Sequence, residues 1–147
     1  MAPLQIKFNI ELDLAIANTL GDSMSVLLGY SNEVFRLQTS LTTGSSSRPQ
    51  SLFTGDLNGD DCTDIVVVYP DTNLICIFFG YGNTSFAHVV TYSTGNNSSP
   101  HSIATGDFNN DTQLDIVVAN YGVSNIGIIL GSGNGTFANQ TTYSTGF

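Results

Sequence analysis

The chain has 147 residues, of which 41% are hydrophobic and 10% are charged. This composition can supply the core of one domain and excludes a chain that its own charge keeps disordered. Twelve acidic residues against three basic ones give a net charge of −9, which argues against a nucleic-acid surface or insertion into an anionic membrane. The chain has no apolar run of roughly 18 residues and no signal-peptide pattern, so a secreted parent protein would contain it as a mature segment or fragment.

The sequence repeats itself with a period of 51 residues. Agreement over three copies is the signature of a repeat protein. We predict a single repeat domain over residues 1–147, divided into units at 1–47, 48–98 and 99–147. The aligned positions include Asp13, Asp64 and Asp115; Gly29, Gly80 and Gly131; and Phe35, Phe86 and Phe137.

The first unit departs from the other two. Its initial segment alternates apolar side chains, which predicts one long, half-buried strand. In the alignment, residues 5–13 stand opposite an acidic loop of the later units and keep only the final Asp13. This unit is therefore predicted to be an incomplete repeat, without the metal site that the acidic loops of the other two units predict below. The alternating side chains are Ile6, Phe8, Ile10, Leu12, Leu14 and Ile16.

The second unit predicts four short strands separated by turns. The strands lie near residues 50–54, at 64–69, at 74–79 and near 86–92. Their β-branched and aromatic side chains are typical of strands, and no helical period extends over about 10 residues.

The third unit repeats this pattern. Its run from Ile116 to Ala119 is continuously apolar, as is the run from Ile65 to Val68. Such runs indicate central strands that are buried on both faces. Four strands per unit favour an all-β fold of propeller blades over a sandwich. The predicted fold is three consecutive four-stranded antiparallel β-propeller blades, the first incomplete, which belong to or assemble into a closed propeller.

Acidic loops follow the first strands of the second and third units. Counted from Asp56 and Asp107, positions 1, 3, 5 and 9 of each loop hold Asp or Asn. Ca²⁺ takes six to eight oxygen ligands, which alternate residues of a tight loop and a backbone carbonyl can supply. We predict two Ca²⁺ sites, one formed by Asp56, Asn58, Asp60, Cys62 (backbone oxygen) and Asp64, the other by Asp107, Asn109, Asp111, Gln113 (backbone oxygen) and Asp115.

Other interpretations of the loops are weaker. An EF-hand requires Glu at position 12 and flanking helices, whereas position 12 is Val67 or Val118 within a predicted strand. Zinc prefers His or thiolate ligands, and Mg²⁺ prefers strict octahedral geometry. The remaining alternative is a metal-free turn whose Asp and Asn side chains accept backbone hydrogen bonds. Position 6, usually Gly, is Asp61 or Thr112, which lowers the predicted affinity.

Three segments of the third unit together resemble an FG-GAP/VCBS repeat, the blade unit of integrin-α-type β-propellers. They run from Gly106 to Asp111, from Asp115 to Gly122 and from Ile129 to Phe137. The resemblance covers the second and third units and the latter part of the first. It implies four-stranded blades, Ca²⁺ in the loop between the first and second strands, and an extracellular or cell-surface setting in adhesion or recognition.

Three blades do not close a propeller ring. Either further blades of a longer chain complete it, or copies of this chain assemble head to tail. A dimer would contain six blades, within the usual range of about four to eight, and is favoured over a trimer of nine.

Other residues form no catalytic pattern. His88 and His101 lack matching partners, and no Ser lies in a nucleophile elbow. Cys62 and Cys76 have neither metal-ligand nor redox spacing, and no disulfide between them is expected. Glycosylation sequons include Asn83 and Asn134.

We therefore predict a non-enzymatic, calcium-stabilised propeller segment without an organic cofactor, which serves recognition or adhesion through a protein or glycan ligand. One alternative is a lectin-like propeller whose regularly spaced tyrosines line a carbohydrate surface. Another is the accessory propeller of a larger enzyme.

Overall fold

The computed structural model describes residues 14–30, 34–82 and 85–146. Within these residues the chain forms 11 β-strands and no α-helix. Single 3₁₀ turns lie at Thr19–Gly21, Pro70–Thr72 and Tyr121–Val123. The part of the predicted first strand that precedes Leu14 lies outside the described residues.

The strands form three antiparallel sheets, in which each strand pairs with its neighbour in sequence. The first sheet contains β1 (Leu14–Asn18), β2 (Ser23–Tyr30) and β3 (Val34–Thr42). The second contains β4 (Ser51–Gly55), β5 (Asp64–Tyr69), β6 (Leu74–Gly80) and β7 (Phe86–Ser93). The third contains β8 (Pro100–Gly106), β9 (Asp115–Asn120), β10 (Asn125–Ile129) and β11 (Thr141–Ser144).

The sheets confirm the predicted all-β architecture of blade-like units. In the second sheet, β5 has the predicted bounds, β4 is shifted by one residue towards the C-terminus, and β6 and β7 each extend one residue beyond their predicted ends. Within the described residues the first sheet has three strands where the others have four. The sheets stack in sequence order, with β1 beside β4, and with β4 and β5 beside β8. The three blades do not form a closed ring by themselves.

Strand β5 shows why the apolar runs are continuous. All six of its residues are buried. Val66 and Val68 pack against the third sheet, whereas Ile65, Val67 and Tyr69 pack towards the first. Since successive side chains of a strand point to opposite faces, a strand between two sheets needs an apolar side chain at every position.

Two hydrophobic clusters join the three sheets. Between the second and third sheets the buried members are Leu57, Val66, Val68, Ile75, Ile77, Ile103, Ile116, Val118 and Ile129. Between the first and second they are Met24, Val26, Ile65, Val67, Tyr69, Cys76 and Phe78. Burial of aliphatic side chains stabilises each junction by about 1.5–3 kcal/mol per fully buried residue. The sheets are thus held to one another by their faces.

Polar contacts fix the connection from each sheet to the next. The 3₁₀ turn after β5 ends at Asn73, which adopts a left-handed conformation with φ of 56°. Its carbonyl accepts a hydrogen bond from Thr94 N at 3.0 Å, and its side-chain oxygen accepts one from Ser99 N at 2.9 Å. Asn is one of the few residues that tolerate this backbone conformation. The bonds fasten both ends of the segment between β7 and β8 to the turn between β5 and β6.

Asp22 occupies the equivalent position after β1. Its carbonyl accepts from Thr43 N at 2.9 Å, and its carboxylate accepts from Arg48 N at 2.9 Å and Ser46 N at 2.7 Å. These backbone donors, that of Arg48 first, hold the pKa of Asp22 below its ordinary value. The first connection is therefore fastened by a charged group where the second uses the neutral Asn73.

Because the first connection is held by the charged Asp22 and the second by the neutral Asn73, we predict that Asp22 makes the unfolding free energy depend on pH. A carboxyl whose folded-state pKa is lowered adds stability above its unfolded pKa of about 3.9, and that contribution disappears as the pH falls through the folded value. We expect Asp22→Asn, which introduces the residue found at the second connection, to reduce the loss of unfolding free energy between about pH 6 and pH 3. Urea denaturation at a series of pH values measures this loss. An equal loss in the variant and the parent would contradict the assignment.

Candidate metal centre

The two acidic loops connect the first and second strands of their sheets. The loop from Asp56 to Asp64 joins β4 to β5, and the loop from Asp107 to Asp115 joins β8 to β9. In both loops positions 4 and 6 have positive φ, with 77° at Gly59, 63° at Asp61, 62° at Asn110 and 69° at Thr112. Left-handed residues at alternate positions curl each loop around its first carboxylate.

The position 1 carboxylates accept backbone hydrogen bonds from the loop. Asp56 Oδ1 accepts from Gly59 N at 2.7 Å and from Asp60 N at 3.2 Å, and Oδ2 accepts from Asp61 N at 2.9 Å. Asp107 accepts from Thr112 N at 2.8 Å and from Asp111 N at 3.0 Å. These amides, that of Thr112 first, lower the pKa of Asp107. Backbone dipoles therefore favour the charged carboxylate.

Positions 3 and 5 are also held together. Asp60 N donates to Asn58 Oδ1 at 3.1 Å, Asn58 Nδ2 donates to Asp60 Oδ2 at 3.0 Å, and Cys62 N donates to Asp60 Oδ1 at 2.8 Å. The second loop repeats all three bonds with Asn109, Asp111 and Gln113, at 3.1, 2.8 and 2.8 Å. The loops share one hydrogen-bonded conformation although their sequences differ at positions 2, 4, 6, 7 and 8.

The position 9 carboxylates are buried. Asp64 accepts hydrogen bonds from Leu57 N at 2.8 Å and from Gly80 N at 2.9 Å. Asp115 accepts the same pair, from Phe108 N at 2.8 Å and from Gly131 N at 2.9 Å. Each carboxylate thus joins the start of its loop to the end of the third strand or the residues just beyond it. We call this arrangement the carboxylate clasp.

Opposing effects act on the Asp64 carboxyl. Its pKa is raised to about 6: burial raises it most, the hydrogen bonds from Gly80 and Leu57 lower it, and the charges of Asp60 and Asp56 raise it. Close approach of the backbone is required as well, because a Cβ on Gly80 would collide with the Thr63 carbonyl. A Cβ on Gly131 would meet the Leu114 carbonyl in the same way. The repeated glycines therefore belong to the clasp.

The donor chemistry of the loops fits a hard cation. Positions 1, 3 and 5 provide carboxylate and amide oxygens, and oxygen is the ligand that Ca²⁺ prefers. Within the described residues, no three Asp, Glu, His or Cys side chains are gathered as a ready-made metal cluster. The loops as folded have the form of the metal-free alternative, and Ca²⁺ binding stays a prediction.

Other residues considered from the sequence occupy ordinary structural positions. Cys62 is half-buried, Cys76 is buried, and both are free thiols; burial raises the pKa of Cys76 to about 12. The His101 ring lies edge-on to Tyr121 with centroids 4.9 Å apart, and its Nδ1 is 3.0 Å from the Ser99 carbonyl oxygen.

The sequence interpretation missed the part that Gly80 and Gly131 play in the clasp. The signal was present, since both glycines recur at the 51-residue period. A recurring glycine indicates a position where backbones approach closely or φ is positive, but the pattern alone does not name the partner.

The fold and the loops define a class of blade-repeat proteins of the β-propeller type. Comparison with protein families agrees: the model of an FG-GAP-like repeat matches residues 56–118, and the model of the FG-GAP repeat matches residues 99–141. The chain belongs to the FG-GAP repeat family. A search of curated proteins found no match. No helix within the described residues is long and apolar enough to cross a membrane.

The clasp predicts a metal-independent role for Asp64. An Asp64→Asn variant keeps one acceptor oxygen but turns an amide group towards the second backbone donor, which loses its partner. An unsatisfied buried donor costs about 1–3 kcal/mol, and we expect the unfolding free energy to fall by that amount in buffer with EDTA. Asp61→Asn, an exposed change in the same loop, should remain within about 0.5 kcal/mol of the parent. A loss seen only when calcium is present would contradict this role.

The left-handed conformation of Thr112 predicts a stabilising substitution. A β-branched residue at positive φ is strained, by about 1–2 kcal/mol, whereas Gly adopts this conformation freely. After allowance for the greater freedom of Gly in the unfolded chain, Thr112→Gly should raise the unfolding free energy by about 0.5–1 kcal/mol in denaturant titrations. Thr141→Gly in β11 serves as the control and should lower it. Destabilisation by Thr112→Gly would show that the loop conformation is wrong.

Proposed function

We propose that the chain is a non-enzymatic, calcium-stabilised β-propeller segment for extracellular recognition or adhesion. The observation that carries the proposal is the recurrence of one loop conformation at one place in two neighbouring blades. The family assignment supports a propeller-type interaction module, and the donor chemistry of the loops supports the cation.

The electrostatics of the loops support a cation at these positions. Seven of the 12 acidic residues of the chain lie in the two loops. Carboxylates crowded into one turn repel each other, and a bound divalent cation offsets that repulsion. When bound, Ca²⁺ would supply positive charge and no reaction chemistry.

The contacts of the first loop indicate how an ordered loop stabilises the protein. Leu57, at position 2 of the first loop, is 2% exposed and belongs to the hydrophobic cluster between the second and third sheets. An ordered loop therefore holds a core residue in place. The role proposed for the metal is to stiffen a blade, while recognition uses the outer surface of the module.

A calcium titration tests the proposal. Saturation of one site at a free calcium concentration 100 times the Kd adds about 2.7 kcal/mol to the unfolding free energy, so Tm should rise by several degrees with Ca²⁺ and fall again with EDTA. The double substitution of Asp60 and Asp111 by Ala should abolish the response. Differential scanning calorimetry measures both.

A matched control separates specific binding from a change in net charge. Asp61→Ala combined with Asp71→Ala also removes two negative charges, but neither residue is a predicted ligand. This variant should keep the full calcium response. If it loses the response, or if the Asp60 and Asp111 variant keeps it, the site assignment is wrong.

A lectin-like role is the second candidate. Tyr81 and Tyr121 are 64% and 77% exposed, and each offers an aromatic ring with a polar tip to a ligand. Binding to a glycan array that disappears in the Tyr81→Ala or Tyr121→Ala variant would favour this role over protein recognition.

A further inference from the structure

The outermost faces of the first and third sheets are the two halves of a blade junction. We propose that they dock head to tail on a second copy of this chain. The proposal rests on the 51-residue equivalence of the sheets and on exposure, and it is independent of calcium.

The exposed face of the third sheet corresponds to a buried face of the second. Val66, Val68, Ile75 and Ile77 of the second sheet pack against the third sheet. Their equivalents, 51 residues later, are Val117, Ala119, Ile126 and Ile128, which are half-buried or exposed. The loops show the same difference between the two sheets: Leu57 of the first loop is 2% exposed, whereas its equivalent Phe108 in the second loop is 50% exposed. Together with Tyr143, these residues form a surface that we call the tail face: Phe108, Val117, Ala119, Ile126, Ile128 and Tyr143.

The exposed face of the first sheet corresponds to the opposite side of the same junction. In the third sheet, Ile116 and Val118 are fully buried against the second sheet. Their equivalents in the first sheet, 102 residues earlier, are Leu14 and Ile16, which are 36% and 42% exposed. The equivalents of Ile129 and Phe137 in the first sheet are Leu27 and Phe35. We call the surface formed by Leu14, Ile16, Leu27 and Phe35 the head face.

One aromatic pair shows how closely the two faces match. At the internal junction, the rings of Tyr92 and Phe137 meet edge to face with centroids 5.8 Å apart, and Phe137 N donates to Tyr92 Oη at 3.2 Å. The equivalents are Tyr143 on the tail face and Phe35 on the head face, 53% and 41% exposed. A tail face set on the head face of another copy would reproduce this pair.

A second copy accounts for both faces at once. Each copy carries one head and one tail, so two copies form two identical junctions and close a ring of six blades, within the usual range of about four to eight. Pairing of like faces would instead join head to head or tail to tail and would leave one kind of face exposed on both copies.

Light scattering coupled to gel filtration tests the proposal on the chain as it stands. At about 10–100 μM the expected mass is twice 15.6 kDa. Two substitutions probe the faces separately: Ile16→Asp on the head and Ala119→Asp on the tail. Each places an unpaired charge in the proposed junction and should weaken association by at least about 100-fold. Both sites are exposed in the single chain, and circular dichroism should show an unchanged fold.

Mixing the two variants is the decisive measurement. The intact tail of the Ile16→Asp variant can meet the intact head of the Ala119→Asp variant, so the mixture should form a dimer although neither variant does so alone. Leu20→Asp is the control and should leave the dimer intact. Leu20 is 94% exposed in a 3₁₀ turn outside both faces, and its equivalent in the second unit is Asp71.

Three results would overturn the proposal. A parent chain that stays monomeric at 100 μM would assign the faces to repeats outside this chain. An Ile16→Asp variant that still dimerises alone would indicate tail-to-tail contact, and an Ala119→Asp variant that does so would indicate head-to-head contact. Because these experiments need no calcium, their failure would leave the proposed calcium function standing.

Discussion

The structure depends on burial of both faces of narrow sheets. A sheet of three or four strands has little core of its own, and an isolated sheet of this size is marginal in water. In this chain the second sheet is stable because the first and third cover it, one on each face. Sequence composition, strand length and the continuous apolar runs all follow from that constraint, and so do the polar connections that set the spacing between sheets.

The strands were predictable from the sequence because two signals coincided there. β-branched runs marked strands such as β5, and the 51-residue period carried the same bounds from one unit to the next. Which face of a sheet meets which neighbour was not predictable, because alternation separates two faces without identifying their partners. The packing of Val66 towards the third sheet and of Ile65 towards the first is information that only the fold contains.

The loops were predictable in place and composition but not in conformation. The spacing of Asp56, Asn58 and Asp60 indicates converging oxygens, yet the same spacing suits a hydrogen-bonded turn as well as a cation site. The left-handed backbone at Thr112 could not be inferred from the residue itself, since a β-branched side chain disfavours it. Such outliers persist only where the surroundings enforce them, and in this structure the enforcing contacts are the amides that surround the position 1 carboxylate.

The clasp connects the loops to the packing between sheets. Asp64 receives the N–H of Leu57, whose side chain lies in the cluster between the second and third sheets. Asp115 receives the N–H of Phe108, which stands on the tail face. In the second blade, therefore, the buried carboxylate positions the residue that its loop contributes to the junction with the third sheet, and in the third blade it positions the equivalent residue. Whatever orders the first loop also orders a junction residue, so loop stability and blade stacking are coupled there through one hydrogen bond.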